Sequence, residues 1–166
     1  MDELDKVAEA YSQKDLQTLE DSLGVNFCKK HLLITSLSHR SPRGDQLFSK
    51  KENKKLGLIG DSLIDLLLFE HNYKKKISLG EMDDERQEVA INLHLDKVAK
   101  DLGITNYLFL DGGANEKTVQ ESHKLGSDSL EALVGALYIE KGFVAAKSFV
   151  EKHILTMVTN LSKIKL

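Results

Sequence analysis

An all-α domain is what this sequence predicts, on three observations. Apolar residues recur three and four positions apart along nearly every segment, the spacing that lines one face of a helix. β-branched alternation over strand length is scarce. Glycines stand where the periodic runs stop, at Gly24, Gly103 and Gly142, as helix C-termini require. In chain order the pattern predicts helices over residues 3–11, 14–23, 30–38, 51–72, 79–102, 116–123, 127–141 and 143–161. Ser78 and Glu81 have capping-box spacing at the start of the fifth. Residues 41–45, Ser-Pro-Arg-Gly-Asp, and 111–115, Asp-Gly-Gly-Ala-Asn, read as loops.

At 166 residues and 18.6 kDa the chain suits one hydrophobic core. Eleven glycines, one proline and 41% hydrophobic residues exclude collagen-like, proline-rich and disordered classes. With 23 basic against 26 acidic residues the net charge is -3, so any nucleic-acid site must be a local patch rather than a global field. Cys28 is the single cysteine, which excludes an internal disulfide and a multi-cysteine zinc site, and fits a semi-buried thiol in a reducing, cytoplasmic compartment. The acidic start has no secretory pattern, and the longest apolar run, interrupted by Asp65, is too short to span a membrane. The six histidines show no metal-ligand spacing, so no zinc site is expected.

Two helices stand out. In residues 51–72, Leu56, Leu58, Ile59, Leu63, Ile64, Leu66, Leu67, Leu68 and Phe69 surround the helix instead of forming one stripe, which predicts burial on most sides. Asp61 sits among them, and a buried carboxylate is costly unless compensated. In residues 127–141, Asp128 and Glu131 lie three apart and share a face. Three carboxylates on two apolar helices supply the hard oxygen ligands that Mg²⁺ takes. The plainer reading makes Asp128 a helix N-cap, Glu131 a rim charge and Asp61 the partner of a lysine.

The residues on those helices resemble a known family. Asn53-Lys54-Lys55-Leu56-Gly57-Leu58-Ile59-Gly60-Asp61-Ser62 resembles the signature helix of the ribonuclease III family, N-E-R-L-E-F-L-G-D-[SA]. Asp128-Ser129-Leu130-Glu131-Ala132-Leu133-Val134-Gly135-Ala136-Leu137-Tyr138 is similar to its second motif, D-x-[FL]-E-A-L-[IV]-G-A-[IL]-Y. Leu37-Ser38-His39-Arg40-Ser41 resembles L-T-H-[RK]-S, and Leu23-Gly24-Val25-Asn26-Phe27 resembles L-G-Y-x-F. The resemblance runs from about Leu19 to Leu155. It divides the chain into an N-terminal helical extension (1–18), a ribonuclease III-like domain (19–160) and a C-terminal tail (161–166), with no room for the family's usual double-stranded-RNA-binding domain.

The resemblance implies the family's all-helical endonuclease fold and a homodimer that cleaves double-stranded or structured RNA with Mg²⁺, or Mn²⁺ in its place. Asp61, Asp128 and Glu131 become the metal ligands, with Asp61 and Glu131 catalytic through the ion they hold. Shape, phosphates and 2′-hydroxyls become the features read on the RNA. Leu58 stands where the family has a phenylalanine that inserts into the partner, and marks the dimer interface. Arg86 falls on the family's basic position in the fifth helix; Lys54 and Lys55 belong to a basic cluster that also includes Lys50 and Lys51, and Lys74, Lys75 and Lys76 form another. These cations are candidate phosphate contacts, the alternatives being a solvated face or pairing with the helix dipole. His39 reads as a hydrogen-bonded core residue.

Three departures from the family pattern matter. Gly57 replaces a glutamate one turn before Asp61, Lys54 replaces another, and Leu79 a third. The family's short Mini-III branch also lacks the glutamate at the Gly57 position. The alternative is a catalytically silent subunit that binds structured RNA or a ribonucleoprotein; a third reading is a protein-interaction dimer. Asp65, a turn beyond Asp61 and away from Gly57, is expected in a solvated or capping role rather than as a substitute ligand.

Overall fold

The computed structural model describes residues 3–39, 50–90, 92–110 and 122–156. Its helices are α1 (Glu3–Gln13), α2 (Leu16–Leu23), α3 (Lys30–Ser36), α4 (Lys50–Lys75), α5 (Leu79–Ala90), α6 (Asn92–Asp101), α7 (His123–Lys141) and α8 (Phe143–Val150). A 3₁₀ turn covers Ile104–Tyr107, and α8 runs into a π-turn over Glu151–Leu155. Among the described residues the sole β feature is a parallel bridge between Ser38 and Phe109. The all-α expectation holds. The loops expected at 41–45 and 111–115, all but the end of the helix expected over 116–123, and the tail at 161–166 lie outside the described residues, as do the side chains of Lys50 and Lys51.

α7 is the central element. Leu130, Ala132, Leu133, Val134, Ala136 and Leu137 are buried around its circumference, and it packs most extensively on α4, then on α6, α8 and α3. It starts at His123 rather than near Ser127, so Asp128 lies inside the helix and is not its N-cap. The helix expected over 79–102 is described as α5 and α6, on either side of residue 91, which lies outside the described residues. α2 begins at Leu16 rather than Lys14, because Asp15 adopts the left-handed conformation at φ 48° and ψ 50°.

The capping box forms as expected: the Ser78 N–H donates to Glu81 Oε2 at 2.7 Å and the Glu81 N–H donates to Ser78 Oγ at 3.3 Å. Gly24 ends α2 in the left-handed region at φ 67°, its N–H directed to carbonyls of the last turn, a conformation cheap for glycine alone.

The N-terminal segment shares this core. Leu16 and Leu19 are fully buried, and Val7, Ala10 and Tyr11 of α1 pack against the cluster. Fully buried Glu20 ties these pieces together: Tyr11 and the Phe27 N–H donate to its carboxylate, and Lys30 Nζ lies 2.6 Å from it. Cys28, expected to be semi-buried, is exposed.

Candidate metal and active site

Two glycines bring α4 and α7 into backbone contact. A Cβ on Gly60 would lie 1.8 Å from the Glu131 carbonyl oxygen, and one on Gly135 would lie 2.0 Å from that of Leu56. No larger residue fits either place unless the helices separate. Because Gly60 precedes Asp61, this contact sets Asp61 and Glu131 at one edge of the crossing. Gly57, a turn earlier, faces the Asp128 carbonyl, which a Cβ would meet at an ordinary 3.9 Å.

Glu131 is half-buried; burial first, then the charges of Asp61 and Asp128, push its carboxyl up to about 7. Asp61 is exposed rather than buried as expected. Partial desolvation and Asp65 raise its carboxyl, and Arg86 opposes them. Among the described residues neither Asp61 nor Glu131 has a hydrogen-bond or ion-pair partner, so no lysine compensates Asp61. Asp128 is held by Lys124, one turn earlier, at 3.2 Å. The three carboxylates share one electrostatic neighbourhood, but among the described residues no three His, Cys, Asp or Glu groups converge closely enough to form a metal site by themselves. The donor set still suits a hard divalent cation: the oxygens are carboxylate, two of the groups have no ion-pair partner among the described residues, and Mg²⁺ commonly takes one or two carboxylates and fills its shell with water.

The expected cations divide. Lys54 and Lys55 are exposed on α4. Arg86 reaches back from α5 to α4, where its Nε and Nη2 both donate to Asp65 Oδ2, at 3.0 and 2.9 Å. Asp65 is therefore a partly exposed ion-pair partner of Arg86 and not a cap. Lys74 is engaged by Glu70 at 2.6 Å, and Lys147 of α8 meets the same carboxylate. Leu58 is 71% exposed, with Leu66 at 56% and Tyr73 at 78% on the same helix. The helix expected to be buried on most sides thus leaves an apolar stripe uncovered in the single chain.

Several supporting residues escaped the sequence reading. The Asn53 side-chain amide donates to the Thr35 and Ser36 carbonyls at 3.1 and 2.9 Å, tying α4 to the end of α3. Its place at the head of the signature helix was the available signal. His39 is the core histidine expected, and its Nε2 meets Ser129 Oγ at 2.6 Å, between Asp128 and Leu130. Glu140 accepts the N–H groups of Cys28 and Lys29 at the start of α3, a pairing with no local sequence signal.

A ribonuclease-III-like family model matches residues 29–158. Ribonuclease 3 of Leptospira interrogans is 27% identical over 152 residues, covering 90% of this chain and 62% of the relative. Ribonuclease 3 of Clostridium perfringens is 32% identical over 142 residues, covering 84% and 59%. The chain thus spans about 60% of the length of these curated relatives. A solved nuclease domain of ribonuclease III from Campylobacter jejuni superposes with a TM-score of 0.75 at 28% identity, covering 84% of this chain and 95% of that one. With the two motif helices crossed as described and the family model spanning most of the sequence, the chain belongs to the ribonuclease III-like family.

Proposed function

We propose that this protein is a Mg²⁺-dependent endoribonuclease that cleaves double-stranded or structured RNA as a homodimer. The observation that carries the reading is the pair Asp61 and Glu131, set side by side by the Gly60 contact and without a hydrogen-bond or ion-pair partner among the described residues. Such a pair is costly in an isolated protein and useful around a cation. Asp61 and Glu131 would hold Mg²⁺ or Mn²⁺, with Asp128 alongside. When bound, the ion supplies an activated water and charge stabilisation at the phosphoryl oxygens. Glu131 gives up its proton to take part, and Lys124 competes for Asp128. Gly57 leaves the space beside the Asp128 main chain free of a side chain, which suits water in place of a ligand.

The dimer reading is supported by the uncovered stripe of Leu58 and Leu66, and by the Campylobacter jejuni nuclease domain, which has a region involved in dimer formation. A second copy covering Leu58 would bring two carboxylate clusters to opposite ends of one groove, one for each strand. A catalytically silent RNA-binding subunit is the second reading, favoured by Gly57 in place of a carboxylate and by the Lys124 engagement of Asp128. Incubation with long double-stranded RNA, with and without Mg²⁺ or Mn²⁺, separates them. Metal-dependent cleavage is the expected result, binding without cleavage supports the silent subunit, and neither overturns both.

A further inference from the structure

We propose that Asp65 is a positioning residue that aims the guanidinium of Arg86 at an RNA phosphate beside Asp61. The proposal rests on the nuclease reading above and assigns Asp65 a role in it. Asp61, Asp65 and Phe69 follow one another at four-residue spacing and so form one stripe along α4. Arg86 comes to that stripe from another helix, 21 residues away in sequence. Its Nε and Nη2 close on one oxygen of Asp65, and its Cζ lies 6.0 Å from the centre of the Phe69 ring. Two hydrogen bonds and the ring fix the plane of the guanidinium. Among the described residues its remaining donors have no partner, and the side chain stays 47% exposed. A planar fork held from one edge presents the other edge to a ligand oxygen, the geometry by which arginine grips phosphate.

The location is what makes the arrangement useful. Asp65 lies one turn beyond Asp61 on the same face of α4, so the guanidinium held by Asp65 stands at the border of the unpartnered carboxylate pair, on the side away from Lys124 and Asp128. RNA approaching Asp61 and Glu131 meets negative charge, and Asp83 and Asp84 are exposed on α5 as well. A cation held rigidly at the border of that cluster offsets the repulsion for one phosphate without entering the cluster. Left unheld, a long side chain would fold onto Asp61 or swing into solvent.

Positioning and simple charge make opposite forecasts. Removing an acid from an acidic site tightens RNA binding if charge alone matters, and weakens it if Asp65 aims Arg86. The test measures binding of a long RNA duplex in metal-free buffer over a range of salt, and steady-state cleavage in Mg²⁺. Asp65→Ala is expected to weaken binding about tenfold and to flatten the plot of log K against log salt by about one contact's worth. Its KM should rise while kcat stays within about twofold, as loss of uniform binding requires. Asp65→Asn keeps an acceptor oxygen at the same place and should stay near the unaltered protein. Arg86→Ala should match Asp65→Ala, and the double variant should be no worse than either.

Equal behaviour of the alanine and asparagine variants, tighter binding by Asp65→Ala, or additive losses in the double variant would each overturn the proposal while leaving the nuclease reading intact. If Asp65→Ala does not fold, Arg86→Ala and Asp65→Asn carry the same comparison. Failure of the unaltered protein to bind or cut the duplex removes the nuclease reading, and this proposal with it.

Discussion

Gly57 and Gly60 lie one turn apart on α4, within the same motif, and meet α7 in opposite ways. At Gly60 the two backbones touch, so that a methyl group would overlap the Glu131 carbonyl oxygen at 1.8 Å; at Gly57 the nearest atom is 3.9 Å away. One glycine is demanded by the crossing. The other is tolerated, and it marks where the family's signature helix carries a glutamate. The contrast extends along the helix: the packed side buries Leu56, Leu63, Ile64, Leu67 and Leu68, the other presents Leu58 and Leu66 to solvent, and Asp61 stands exposed at the edge between them, beside α7. Packing precision and chemical function are thus divided between two faces of one element, and variants on each face should fail differently.

The largest effect is expected at the chemical edge. Asp61→Asn or Glu131→Gln should lower RNA cleavage by at least about a thousandfold, roughly 4 kcal/mol in barrier, with the fold retained by circular dichroism. Gly60→Ala should instead cost roughly 3 kcal/mol of stability, since the helices must part or tilt to admit the methyl group. Thermal unfolding would register a drop of several degrees, and unchanged melting would contradict the backbone contact.

Leu58→Asp tests the outer face. If a second copy covers this residue, a charge there should weaken the dimer by roughly a hundredfold, about 3 kcal/mol, read by light scattering across a dilution series. A monomeric unaltered protein at micromolar concentration would rule the interface out.

The pH dependence sharpens the comparison further. Glu131 binds its proton more tightly folded, at about 7, than its ordinary 4.5. The metal-free fold therefore keeps the advantage of the neutral form below pH 4.5 and loses it as pH rises toward 7. With solvent screening at this partly exposed group the loss should be about 2 kcal/mol. Denaturant melts of the unaltered protein and Glu131→Gln should converge at low pH and separate toward neutrality, the variant being the more stable; a flat difference would refute the assignment.

The smallest effect belongs to Gly57. Gly57→Ala should add about 1 kcal/mol to stability, because the Cβ meets ordinary contact and the helix gains propensity. Gly57→Glu should raise Mg²⁺ affinity by adding an oxygen donor beside Asp128, measured by calorimetric titration.

Much of this was legible in the linear chain. The capping box at Ser78 and Glu81 and the helix ends at Gly24, Gly103 and Gly142 emerged from local spacing, and the buried His39 from the resemblance of its motif. Local spacing misjudged others. Asp61 looked buried because its neighbours in sequence are apolar, yet its own side of α4 is exposed among the described residues while Gly60, Leu63 and Ile64 on the same turn are buried. Asp128 looked like a cap because the helix start could not be seen, and α7 begins five residues before it.

The sequence by itself determined the helical class, most helix boundaries and the motif residues that identify the family, because periodicity and capping act within a few residues of chain. Tertiary structure alone decided which glycine the crossing requires, that Asp65 takes Arg86 as its partner 21 residues away, and that Glu140 caps α3 across 111 residues. Those outcomes depend on where one helix crosses another. The angle and depth of a crossing are set jointly by every side chain in the contact, and no single stretch of sequence carries that information.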